Sequence, residues 1–143
     1  MKLIGYFVLF VVFSLFFSGC GQLFKGNSQP PDKQKIKTAI EKYLALMNES
    51  YTPLGLSYKF EKIEPFTVED KTIKVNFIYS GKMISGQGIC KNLPPEKCER
   101  MSKMSIGFND LAVFRLEDDG YWYLVEVFDE NGLNSQRSHI KVE

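Results

Sequence analysis

Residues 73–80 read IKVNFIYS, a stretch in which large apolar residues alternate with polar ones and only Ile78 breaks the pattern. Successive side chains of a β-strand point to opposite faces of its sheet, so this period of two predicts a strand with one buried face. Residues 56–61 alternate in the same way, and residues 106–116 and 121–128 are rich in aromatic and β-branched residues. Four strands are therefore predicted.

A helix is expected before these strands, because apolar residues recur there at intervals of three and four and so share one helical face. They are Ile36, Ile40, Tyr43, Leu44 and Met47. Asp32 is the expected N-cap and Pro53 cannot continue a helix, so we predict a helix over residues 32–49. The predicted fold class is α+β, with one N-terminal helix packed on a four-stranded antiparallel twisted sheet.

The hairpin signal Asp119-Gly120 and the strand that follows it, YWYLV at residues 121–125, resemble the closing hairpin of NTF2-like proteins. The order of one helix and then antiparallel strands also resembles the cystatin-like family. Both resemblances imply a two-layer α+β domain over most of the chain. Neither carries a functional residue onto this sequence.

The N-terminal segment has the pattern of an export signal. Lys2 precedes an apolar run of about 15 residues, which is shorter than the roughly 20 needed to span a bilayer as a helix. The small residues Ser18 and Gly19 follow, and then Cys20. An ordinary secretory signal that leaves Cys20 free, or an uncleaved anchor, remains an alternative.

The Ser18-Gly19-Cys20 sequence resembles the lipobox of bacterial lipoproteins, although Phe17 stands where that motif prefers Leu. The resemblance implies removal of residues 1–19 and lipidation of Cys20, which tethers the chain to a bacterial membrane. Gly21 stands where an Asp would signal inner-membrane retention, so the resemblance implies the outer membrane, facing the periplasm, in a Gram-negative host. We expect a flexible tether at 20–31, an α+β domain at 32–130 and a polar C-terminal tail at 131–143.

Charge and cysteine content narrow the classes of function. Loss of Lys2 with the signal leaves 17 basic and 17 acidic residues, a balance that argues against a nucleic-acid partner. Acylation of Cys20 leaves Cys90 and Cys98 as a pair in an oxidising compartment, and Pro94-Pro95 between them favours a bend. We predict a disulfide; a metal pair or a redox pair is the alternative.

Candidate catalytic and metal-binding residues are weak throughout. His139 stands alone in the polar tail and is interpreted as a surface histidine, and Glu117-Asp118-Asp119 is interpreted as a turn rather than an acid–base site. At residues 129–132 the spacing of the possible ligands before Gly132 is too short for an EF-hand calcium loop. Three methionines offer soft ligands but are also common core residues: Met83, Met101 and Met104. We expect no catalytic residue, no metal and no cofactor.

The aromatic triplet Tyr121, Trp122 and Tyr123 is the best candidate for partner binding. Either Trp122 and Leu124 share the buried face with Phe128, or the two tyrosines share it with Val125 and Val127. The uncovered side, together with the insertion at 91–103, is the predicted contact surface. The predicted function is a non-enzymatic, lipid-anchored binding or assembly module with a protein partner in the envelope, for example in a secretion, conjugation or surface-assembly machine. The alternative is an inhibitor or immunity lipoprotein that blocks a hydrolase or toxin.

Overall fold

The computed structural model describes residues 28–143, so Cys20 and the signal segment lie outside the described residues. The chain forms an α+β domain, which confirms the predicted class. The helices are α1 (Lys33–Tyr51) and α2 (Pro95–Ser102). The strands are β1 (Leu56–Ile63), β2 (Thr67–Glu69), β3 (Thr72–Met83), β4 (Ile106–Leu116), β5 (Trp122–Phe128) and β6 (Ser135–Lys141).

All six strands belong to one antiparallel sheet with the order β1-β3-β4-β5-β6, and β2 pairs with β3 beside β1. Helix α1 lies across one face of this sheet. Its apolar stripe packs against the inward side chains of the central strands. The largest fully buried side chains of this core come from both the helix and the strands, and they are Phe77, Phe114, Ile36, Ile40, Ile73, Leu124 and Val75. No helix of the described residues is long and apolar enough to cross a membrane.

The ends of α1 follow from its sequence. The Asp32 carboxylate accepts a hydrogen bond of 2.9 Å from the Lys35 amide, which confirms the predicted N-cap. At the other end Pro53 lies in a 3₁₀ turn, and Gly55 reverses the chain with φ 80°. Residues 28–30 are exposed, as expected of a tether, whereas Pro31 is already buried against the domain.

The predicted strand count was wrong, because β2 and β6 are additional. The segment expected as a polar tail forms β6, which pairs with β5 and places Val142 in the core. An edge strand is held by main-chain hydrogen bonds, which do not depend on the type of its side chains. The solvent-facing side chains of β6 are polar. The folded domain therefore extends beyond residue 130 to Val142.

A β-bulge decides which residues of β5 face the core. Glu126 pairs with Val113 while Leu124 pairs with Phe114, so Val125 is the extra residue. The alternation shifts by one residue after the bulge. Trp122, Leu124 and Val127 consequently lie under α1, and Phe128 lies on the opposite face.

Candidate binding surface

The three aromatic residues proposed for partner binding separate between the two faces of the sheet. Trp122 is only 3% exposed and belongs to the core, so its predicted role as a contact residue was wrong. Its indole Nε1 is buried and has no hydrogen-bond partner within the described part of the chain. Tyr121 and Tyr123 lie half-exposed on the face that α1 leaves uncovered.

Both tyrosines are held by residues of their own chain. The Tyr123 hydroxyl donates to Asp119 Oδ2 at 2.7 Å, and this bond raises the pKa of Tyr123 to about 12 and lowers that of Asp119. The His139 ring stacks on Tyr123 with centroids 4.2 Å apart. Lys141 Nζ lies 3.3 Å from the centroid of the Tyr121 ring, a close cation–π contact.

His139 is the surface histidine that the sequence predicts, but β6 fixes its position. Its Nε2 lies 3.1 Å from both carboxylate oxygens of Glu117, and its side chain is 63% exposed. Glu117 and Asp119 flank the β4–β5 turn and are used in these local contacts. The arrangement orders the turn and presents no nucleophile beside a base.

A broad trough of about 1020 Å³ occupies the uncovered face of the sheet. Its floor carries an apolar strip of Leu111, Val113 and Phe128 from β4 and β5. Lys74 and Arg115 also lie on the floor, exposed, and neither makes an ion pair with any carboxylate of residues 28–143.

Two acidic turns form the rims of the trough. Glu69, the last residue of β2, and Asp70 stand at the β2–β3 turn, and Asp129 and Glu130 lie in the β5–β6 turn. The Asp129 carboxylate accepts from the Leu133 amide at 2.9 Å and from the Asn134 side chain at 2.7 Å, and these bonds lower its pKa. Its oxygens thus stabilise the turn, and no group of three or more potential metal-ligating His, Cys, Asp or Glu residues occurs in residues 28–143.

The insertion at 91–103 does not line the trough, which differs from the predicted contact surface. Cys90 and Cys98 are joined by a disulfide with their Cα atoms 5.2 Å apart, and Cys98 lies in α2. The disulfide anchors this segment at the end of the sheet where β3 ends and β4 begins. Met101 of this segment and Met104, which directly follows it, lie in one apolar pocket with Met83 of β3.

Sequence reasoning missed a buried polar pair under α1. Asp110 is 9% exposed and accepts a 2.9 Å hydrogen bond from the Tyr79 hydroxyl. Burial raises the pKa of Asp110, while the bond from Tyr79 opposes that rise; burial and the same bond raise the pKa of Tyr79. The sequence does contain a signal for this pair. Asp110 precedes Ala112 by two residues and Phe114 by four, so all three side chains point to the same buried face of β4.

No protein-family model, curated protein or solved structure matches this chain.

Proposed function

We propose that this chain is a lipid-anchored protein of the bacterial envelope whose folded domain is a non-enzymatic binding module for a protein partner. The observation that carries the binding role is the trough. A helix covers one face of the sheet, and the opposite face combines an apolar strip with charged rims. Contiguous apolar surface rimmed by polar residues is typical of protein-binding sites.

The lipid anchor is proposed from the apolar run that ends in Ser18-Gly19-Cys20. Two or three acyl chains on Cys20 would hold the domain at the membrane, because each buried methylene contributes about 0.8 kcal/mol. Intact-mass measurement of membrane-extracted protein tests the proposal. A mature chain that starts at an acylated Cys20 is expected, and an unmodified Cys20 or another start site would overturn it.

The net charge of the trough favours a particular kind of protein partner. Five carboxylates line the trough against two cations, so its net charge is negative. The carboxylates are Glu69, Asp70, Glu126, Asp129 and Glu130. We therefore propose a protein partner that inserts an apolar side chain between basic residues. Such complementarity steers association and fixes the register of the two surfaces.

Site-specific photo-crosslinking in the native membrane tests this surface. A crosslinker at Asn109, on the trough floor, is expected to capture a partner that a crosslinker at Glu41, on the solvent side of α1, does not capture. The captured protein is then purified, and its affinity for the full chain is measured at increasing salt. Charge reversal by Glu126→Lys should weaken binding, and equal capture at both positions would contradict the proposal.

The identity of the captured protein separates the two functional classes. A component of an envelope complex supports the assembly module. A hydrolase or toxin that loses activity on binding supports the inhibitor or immunity alternative. Fractionation of the two membranes of a Gram-negative host tests the outer-membrane location inferred from Gly21.

A further inference from the structure

A second, smaller pocket lies at the end of the domain where α1 no longer covers the sheet. It has a volume of about 270 Å³ and is lined almost entirely by carbon atoms. Tyr51, the last residue of α1, packs edge-on against Tyr58, and the pocket begins on the other side of the Tyr58 ring. We call this space the distal pocket, because it lies at the opposite end of α1 from the tether.

The aromatic wall of the distal pocket depends on Gly81. A Cβ at this position would lie 3.0 Å from the rings of both Phe108 and Tyr58, closer than ordinary van der Waals contact. The missing side chain therefore lets both rings pack directly over the Gly81 backbone, where they meet edge to face with centroids 6.1 Å apart and form one wall of the pocket. Gly81 is buried and pairs with Ile106 across the sheet.

Three thioether side chains complete the lining. Met83 comes from β3, whereas Met101 and Met104 come from the segment that the Cys90–Cys98 disulfide anchors. Methionine is flexible and polarisable, so it adapts to alkyl groups of different shape. Met104 and Ile106 are 60% and 61% exposed at the mouth, which is costly unless something apolar covers them.

A basic hollow of about 480 Å³ adjoins the distal pocket and shares Lys82 and Met104 with it. Lys59, Lys82 and Lys103 line this hollow with four serines, against one carboxylate, Glu61. Lys103 is paired with Glu99 at 2.6 Å, but Lys59 and Lys82 make no ion pair within the described residues. The hollow is lined by the alternate residues of β1 and β3 and so lies on the opposite face of the sheet from Gly81 and Met83, and Lys82 and Met104, which line both spaces, connect it with the pocket.

We infer that the distal pocket binds a free medium-chain fatty acid, with the alkyl chain lying along the wall that Tyr58 and Phe108 form and the carboxylate at Lys82. An engineered cavity of about 150 Å³ holds a benzene ring, so 270 Å³ suits one chain of about eight carbons and not a two-chain lipid. Helix α1, which is about 28 Å long at 1.5 Å per residue over 19 residues, separates the pocket from the tether end of the domain. This site is separate from the trough and does not depend on the proposed function.

Methionine methyl NMR of the full chain in zwitterionic nanodiscs tests this inference, with octanoate as the probe. Octanoate is expected to shift the methyl signals of Met83, Met101 and Met104 saturably. Met47, which packs against the core under α1, is the internal reference and should not shift. Octyltrimethylammonium, which has the same chain and the opposite charge, should bind about tenfold more weakly.

Two variants separate pocket binding from partition into the nanodisc lipid. Gly81→Leu fills the pocket and should abolish the octanoate shifts of the three methyls. Because Gly81→Leu could disturb the fold, Met104→Glu serves as the second variant: its side chain is exposed, and a carboxylate there should weaken octanoate binding about tenfold. Absence of saturable shifts in the native chain, equal binding of the cationic probe, or unchanged binding in Met104→Glu overturns the inference.

Discussion

The two faces of the sheet are built from alternate residues of the same strands, yet they differ in what covers them. On one face Phe77, Phe114 and Leu124 are completely buried under α1. On the other face Leu111 and Phe128 of the apolar strip stay partly exposed between two acidic turns, and only Val113 of the strip is buried. The covered face accounts for most of the stability of the fold, whereas Leu111 and Phe128 on the uncovered face remain partly exposed, and it is there that we propose a partner binds.

The largest expected effect is loss of a covered-face aromatic. Trp122→Ala should lower the free energy of unfolding by about 3–5 kcal/mol, because it removes a large side chain from a close-packed core. Denaturant unfolding measures this change. The neighbouring Tyr121→Ala is the matched control on the uncovered face and should change stability by less than about 1 kcal/mol. Equal losses for the two variants would erase the proposed difference between the faces.

Removal of the disulfide should have the next largest effect. Replacing Cys90 and Cys98 together by Ser should lower the free energy of unfolding by about 2.5 kcal/mol, because an eight-residue separation closes a short loop. Since this segment does not line the trough, partner affinity of the folded variant should stay unchanged. A large loss of affinity without unfolding would show that the insertion belongs to the contact surface after all.

A matched pair of apolar substitutions tests the uncovered face itself. Leu111 lies in the trough and Ile78 lies outside it on the same face, and both are half-buried. Leu111→Ala and Ile78→Ala should each cost about 1 kcal/mol of stability. Only Leu111→Ala should weaken partner binding, by about tenfold, and equal affinities of the two folded variants would count against the trough.

The smallest expected effect concerns how the stability of the fold depends on pH. Asp110 on the covered face and Asp119 on the uncovered face should change this stability in opposite directions. The pKa of buried Asp110 is raised, so its charged form destabilises the fold as pH rises through that pKa. Asp110→Asn, which still accepts from Tyr79, should therefore be more stable than the native chain at neutral pH and equal to it below about pH 3.9, the ordinary carboxyl pKa.

Asp119 is the counterpart on the uncovered face. Its pKa is lowered by the hydrogen bond from Tyr123, so its stabilising contribution is present above the ordinary carboxyl pKa and is lost as pH falls through the lowered value. Asp119→Asn should reduce stability at neutral pH and have no effect in strong acid. Thermal unfolding of both variants from pH 2 to 8 measures the two signs, and the same sign for both would contradict the assignment.

Local patterns predicted most of the fold. The apolar stripe of α1, its cap at Asp32 and the alternation of β3 each depend on neighbours a few residues away, so the sequence reveals them directly. Strand β6 was missed because its side chains are largely polar and its pairing relies on main-chain hydrogen bonds. The trough could not be predicted, because the sequence left open whether Trp122 or the two tyrosines of β5 are buried and gave no sign that Leu111 and Phe128 share an uncovered face.

The sequence by itself determined that each long strand has one apolar face and that one helix is available to cover it, because side-chain periodicity is a local property. Only the tertiary structure decided that Trp122 is core and that Phe128 faces the trough, because the bulge at Val125 shifts the phase of β5. It also decided that Gly81, Tyr58 and three distant methionines enclose one pocket. That enclosure arises from the pairing of strands that are far apart in the chain and from the disulfide that anchors the neighbouring segment, so a local sequence pattern cannot predict it.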